Sequence, residues 1–271
     1  MRTSASRWRF LLLLASGVGM GSVLFTPLLW PLAAVALVPL FFAVRQAHHM
    51  RDALWYGEVW GVGLFGASLS FVCAMLPLDW LGVTSPLVGI FAAIVAWLVV
   101  SAMLALSVAL FALGTWHMRA WRTALLVVGA PLLWVVLEIM RALFVSLVAL
   151  GPGTSLGADF TIGNLAYALA WAPGLLALFA PGGLMLLSGL VVFLNVIAYV
   201  AIRNLVAIHA ALIFVAIPGA LVVINTLLPV QVVVHLGSSS ATINGVAIAL
   251  IHTDIDATLT VSRAAQEAQT D

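Results

Sequence analysis

"LLWVVLEIMRALF" spans residues 132–144, and its reading decides the fold. Glu138 and Arg141 are three apart, so they share one face of a helix and are within reach of each other. Both lie well inside an apolar run. The whole chain explains how such a run is housed. Hydrophobic residues make up 65% of it and charged residues only 7%. A soluble domain carries about 25% charged residues, so this chain cannot build a water-facing surface. The class expected is an all-α polytopic membrane protein.

A charged group at mid-bilayer costs about 2.5–3.5 kcal/mol on insertion scales. Glu138 and Arg141 therefore need an explanation. One is a structural ion pair that satisfies itself. The other is a polar cavity in which Arg141 meets a lipid phosphate while Glu138 holds the guanidinium in place. The planar fork of Arg suits two-point contact with a phosphate. On this second reading Arg141 and Glu138 are the ligand-binding residues, and the ligand is a membrane phospholipid.

Crossing a bilayer core of about 30 Å takes about 20 apolar helical residues. Seven runs qualify, near 10–25, 28–44, 53–76, 86–113, 123–146, 183–202 and 205–227. The first follows Arg2, Arg7 and Arg9 and has the look of a signal peptide. Further spans follow at once, so it reads as the first membrane helix.

All ten basic residues are Arg, and eight of them (2, 7, 9, 45, 51, 119, 122 and 203) fall before span one or in alternate loops. The other loops, 26–27, 77–85 and 147–182, have none. By the positive-inside rule the N-terminus is cytoplasmic, and with seven spans the tail is extracytoplasmic. The stretch containing 164–180 is apolar but is broken by Pro173, Pro181 and Gly182-Gly183. Proline removes a donor and disfavours helix before it. The segment reads as a short interfacial or re-entrant helix rather than a span.

Two domains are expected: a transmembrane helical domain, 1–227, and a tail, 228–271. In the tail "VQVVVHLG" and "VAIALIHTD" flank "SSSATING". β-Branched runs around a Gly/Ser/Asn turn predict a short β-hairpin-like element.

The remaining motifs exclude more than they assign. "YGEVWGVGLFGASLSFV" (56–72) places Gly57 with Gly61, and Gly63 with Ala67, four apart. That spacing lets helix backbones approach closely. Glu58 lies about one turn inside its end of the span, within reach of headgroups. The six His include no i, i+4 pair of the kind a helical zinc site uses, and no metal or cofactor is expected. Cys73 stands alone, with Met and Leu around it and no nearby base, so it reads as structural. No basic cluster points to nucleic acid. One intramembrane charge pair and no evident internal repeat argue against a coupled transporter.

Several segments, in order, resemble the membrane portion of the apolipoprotein N-acyltransferase family. "LFTPLLWPLAAVALVPLFF" (24–42), with Phe25, Pro27, Trp30 and Pro31, is similar to that family's opening helices. "WGVGLFGASLSFV" (60–72) is similar to its third helix. "APLLWVVLEIMRA" (130–142) resembles its fifth, with Trp134, Glu138 and Arg141 in register, and "LSGLVVFLN" (187–195) fits a later one.

The resemblance implies a bacterial plasma-membrane protein of lipoprotein biosynthesis. Such a protein takes an acyl chain from a phospholipid, moves it to a cysteine and then to the amine of a lipoprotein. It also implies a nitrilase-like domain with a Glu-Lys-Cys catalytic set. "VAIALIHTDID" aligns with the first strand of that domain. Residues 1–271 contain no Lys, their one Cys is in a membrane helix, and Glu267 is the only Glu beyond the membrane region, 1–227. No catalytic residue is therefore assigned, and the expectation is a truncated acyltransferase, phospholipid-handling but not catalytic alone. The partner expected is a separate nitrilase-like polypeptide. The alternative is a membrane anchor for a polyprenol-phosphate glycosyltransferase.

Overall fold

The computed structural model describes residues 2–119, 123–151, 157, 160–179, 182–203, 205, 207–227, 235–236 and 239–240. The chain divides into two units, Met1–Pro229 and Val230–Asp271. The first is helical: α1 (Arg2–Ser22), α2 (Val38–Arg45), α3 (Met50–Ser68), α4 (Pro86–Met118), α5 (Thr123–Val148), α6 (Pro173–Phe179), α7 (Gly183–Ile202) and α8 (Ala207–Leu227).

Among the described residues, four stretches are long and apolar enough to cross a membrane: Pro27–Arg45, Pro86–Met118, Thr123–Val148 and Gly183–Ile202. They differ in burial. The first and last are 61% and 50% buried in their apolar windows, whereas Pro86–Met118 is 17% buried. The broken stretch and α7 therefore form the centre, and α4 presents apolar surface outward.

Small residues set the close approaches. A Cβ on Gly57 would lie 2.5 Å from the Val108 carbonyl oxygen, and one on Gly61 would lie 2.8 Å from the Ala105 Cβ. One on Gly63 would lie 2.6 Å from the Leu14 carbonyl oxygen. So α3 is clasped between α4 and α1, as the spacing of small residues predicts.

Two predicted spans are not continuous helices. Residues 27–45 form a 3-10 stretch, Pro27–Ala34, then a turn, then α2. Pro31 lies inside the 3-10 stretch, while Pro27 and Pro39 stand in the first turns of the two pieces, where the missing N–H is tolerated and a new helix begins. Non-helical backbone at membrane depth survives only where protein satisfies it. Here buried Asn195 does so. Its Oδ1 accepts from the Leu37 N–H (2.7 Å), and its Nδ2 donates to the Ala33 and Val191 carbonyls (2.6 and 2.8 Å). Trp60 Nε1 donates to the Ala36 carbonyl (3.1 Å). The third predicted span, 53–76, is helical only to Ser68 and continues as a 3-10 stretch, Ser70–Met75. Cys73 lies in that stretch and is exposed, not packed into the core.

Segment 164–180 divides into a 3-10 stretch, Leu165–Trp171, and α6, seven residues each. Neither piece approaches the length of a span. Leu165, Ala166, Ala168 and Leu169 are buried, and Trp171 Nε1 donates to the Val23 carbonyl (3.0 Å). In the second unit, His235–Leu236 pairs antiparallel with Ser239–Ser240. That ladder is tighter than the predicted arrangement, whose second strand, 246–254, lies outside the described residues.

Candidate functional site

Glu138 and Arg141 lie in the half of α5 remote from Thr123, about 22 and 27 Å along the helix from it. They are 2% and 5% exposed. Their spacing predicts contact with each other, but other partners hold them. Glu138 Oε1 accepts from Trp134 Nε1 (2.8 Å) and from the Leu165 backbone N–H (3.1 Å). Arg141 Nη2 donates to Asn164 Oδ1. Its guanidinium lies over the Phe65 ring, 4.9 Å from the centroid, a favourable cation–π placement. Arg141 Nε is buried with no hydrogen-bond partner among the described residues.

The two charges therefore grip a third element. Asn164 is the cap residue of the 3-10 stretch Leu165–Trp171. The first N–H groups of such a stretch have no partner inside it. Glu138 takes the one on Leu165, and the Ser188 hydroxyl oxygen takes the one on Ala166 (3.1 Å). A carboxylate at a helix N-terminus also faces the positive end of the dipole. Gly163 precedes this cap with φ +78°, and a Cβ there would lie 2.5 Å from Phe65 Cε1. Only glycine fits both that backbone and the ring on which Arg141 rests.

Trp134 is fixed edge-on against Phe111 and Trp60, with ring centroids 4.7 and 6.3 Å apart. The site thus joins α3, α5, α7 and the docked segment. It offers a carboxylate, a guanidinium, an amide and a hydroxyl, with no thiol or amine nucleophile among them. It can bind and orient a group.

Residues 16–197 match the model of the apolipoprotein N-acyltransferase N-terminal domain. The chain belongs to that family. The matched region contains Phe65, Trp134, Glu138, Arg141, Gly163, Asn164, Ser188 and Asn195, so the whole cluster lies inside the family's domain. With its apolar helices this makes the chain a membrane protein. No curated protein matches it.

Sequence reasoning singled out Glu138 and Arg141 but missed Gly163, Asn164 and Ser188. Ser188 and Asn195 were legible as lone polar residues in the apolar run 183–202. Asn164 was legible as a polar residue just ahead of an apolar segment that is too short to span.

Proposed function

We propose that the chain is the membrane, phospholipid-handling part of an apolipoprotein N-acyltransferase-like protein of lipoprotein N-acylation. It crosses a bacterial plasma membrane seven times, with a cytoplasmic N-terminus and an extracytoplasmic tail. The distribution of Arg supports that orientation. The acyl-transfer chemistry comes from a nitrilase-like domain outside residues 1–271, on this polypeptide or another. The absence of Lys from these residues supports that division of labour.

The observation that carries the reading is the buried Glu138–Arg141 cluster inside the matched domain. On this reading Arg141 is the headgroup contact and Glu138 its positioning residue. Glu138 holds the segment beginning at Asn164 against Arg141, and Arg141 Nε is the donor left for a phosphate oxygen. Guanidinium–phosphate contacts of this kind are among the stronger hydrogen bonds.

The test is phospholipid retained per chain after detergent exchange, read by mass spectrometry. Arg141→Ala is expected to reduce retention at least about tenfold, the scale for removing one partner of a buried charged contact. Arg51→Ala is expected to leave it unchanged, and equal retention by both variants sinks the headgroup assignment. With the chain in phospholipid vesicles, a lipopeptide amine is expected to stay unacylated. An acyl thioester on Cys73 during turnover would overturn the division of labour.

A further inference from the structure

Three helices end at one place. Arg45 lies in the last turn of α2, while Arg119 and Arg203 are the cap residues that follow α4 and α7. Their side chains line one small cavity of about 40 Å³, together with Thr115, Thr123 and Tyr199. Each Arg has a neutral partner. Arg45 Nη1 donates to the Tyr199 hydroxyl (3.3 Å), Arg119 Nη1 to the Ala47 carbonyl (2.6 Å), and Arg203 Nη2 to the Thr123 hydroxyl (2.9 Å). No carboxylate is among the described residues that line the cavity. Arg203 Nε is buried with no hydrogen-bond partner among the described residues.

The plain account is that cations suit helix C-termini. The magnitudes do not close. Each C-terminus supplies about half a negative charge, so three offset about half of the three guanidinium charges. Thr123, on the same cavity, is the first residue of α5 and brings about half a positive charge back. Guanidinium does not lose its proton in proteins, so the repulsion cannot be relieved by titration. The local surplus is about two positive charges.

We propose that this cavity binds a phosphate group. Two or three planar forks converging on a small, half-polar hollow match the oxygens of one phosphate. The group comes from an anionic phospholipid headgroup or from free phosphate. Arg45 and Arg119 are exposed, so the hollow is open to either source. The site is separate from the Glu138 cluster, which lies toward the other end of α5.

The full chain is placed in vesicles of equal phosphatidylcholine and phosphatidylglycerol, then stripped with detergent. The ratio of the two lipids still bound is read by mass spectrometry. In a second arm the delipidated chain is titrated with inorganic phosphate and followed by ³¹P NMR. Enrichment of phosphatidylglycerol that millimolar phosphate does not displace assigns the site to the lipid headgroup. Phosphate binding without lipid enrichment assigns it to the free anion.

In whichever arm responds, Arg45→Gln and Arg203→Gln are each expected to weaken binding about fivefold. Arg51→Gln, which removes the same charge from a residue lining a different groove, is expected to change nothing. Arg45 is exposed, so its variant reports even if Arg203→Gln fails to fold. No response of the wild-type chain in either arm overturns the proposal, as does an equal loss with Arg51→Gln. This test turns on Arg45 and Arg203 and the retention test on Arg141, so the two fail independently.

Discussion

Two groups of arginine sit at opposite ends of α5 and solve opposite problems. Arg141 is sealed in an apolar bundle, rests on Phe65, bonds to Asn164 and lies one turn from a carboxylate. Arg45, Arg119 and Arg203 gather at the helix ends with neutral partners and, among the described residues lining their cavity, no acid. The difference is one of solvation. A charge at membrane depth must be gripped by the fold, so most contacts of Arg141 are architecture and only its Nε is left for a ligand. A charge at a helix end is part-solvated, so the fold tolerates a surplus there, and a surplus is what a ligand can use.

The sharpest way to break this comparison is to remove the acid from the sealed cluster. Glu138→Leu leaves Arg141 buried without its carboxylate and frees the Leu165 N–H. The expected loss is about 3–5 kcal/mol, measured by unfolding in mixed micelles. Adding Arg141→Met to Glu138→Leu is expected to recover much of it, because a buried pair exchanged together for apolar groups is often nearly neutral. If the single substitution costs less than about 1 kcal/mol, the sealed cluster is not architectural and the contrast fails.

That cluster also marks how far sequence reasoning reached. The charges were legible because Glu138 and Arg141 interrupt an apolar run, and their shared face follows from i, i+3 geometry. Their partners were not. Asn164 and Leu165 are 23 and 27 residues away, and no local period encodes a contact across that separation. Prolines 173 and 181 made the docked segment legible as something other than a span. Prolines 27, 31 and 39 were equally visible, yet 28–44 reads as one span, because mean hydropathy averages over a break. The closure of that break by Asn195 needs a residue about 160 positions away.

A smaller effect sharpens the account of the docked segment. Ser188→Ala removes the acceptor of the Ala166 N–H and leaves a buried donor unpaired. The expected cost is about 1–2 kcal/mol, on the same unfolding scale. Proteolysis near residue 160 is expected to rise with it, since the segment loses one of its tethers. A neutral substitution would mean that Glu138 and Arg141 hold the segment without help from α7.

The smallest expected change falls on the arginine-rich end and completes the contrast. Arg45→Gln gives up one long hydrogen bond, to the Tyr199 hydroxyl at 3.3 Å, from an exposed position. It also relieves some like-charge repulsion around the cavity. Stability is therefore expected to stay within about 0.5 kcal/mol of wild type, while phosphate-group binding falls. A loss of about 2 kcal/mol or more would place Arg45 in the same class as Arg141. The arginines at the helix ends would then be holding the bundle together, and the surplus charge would no longer point to a ligand.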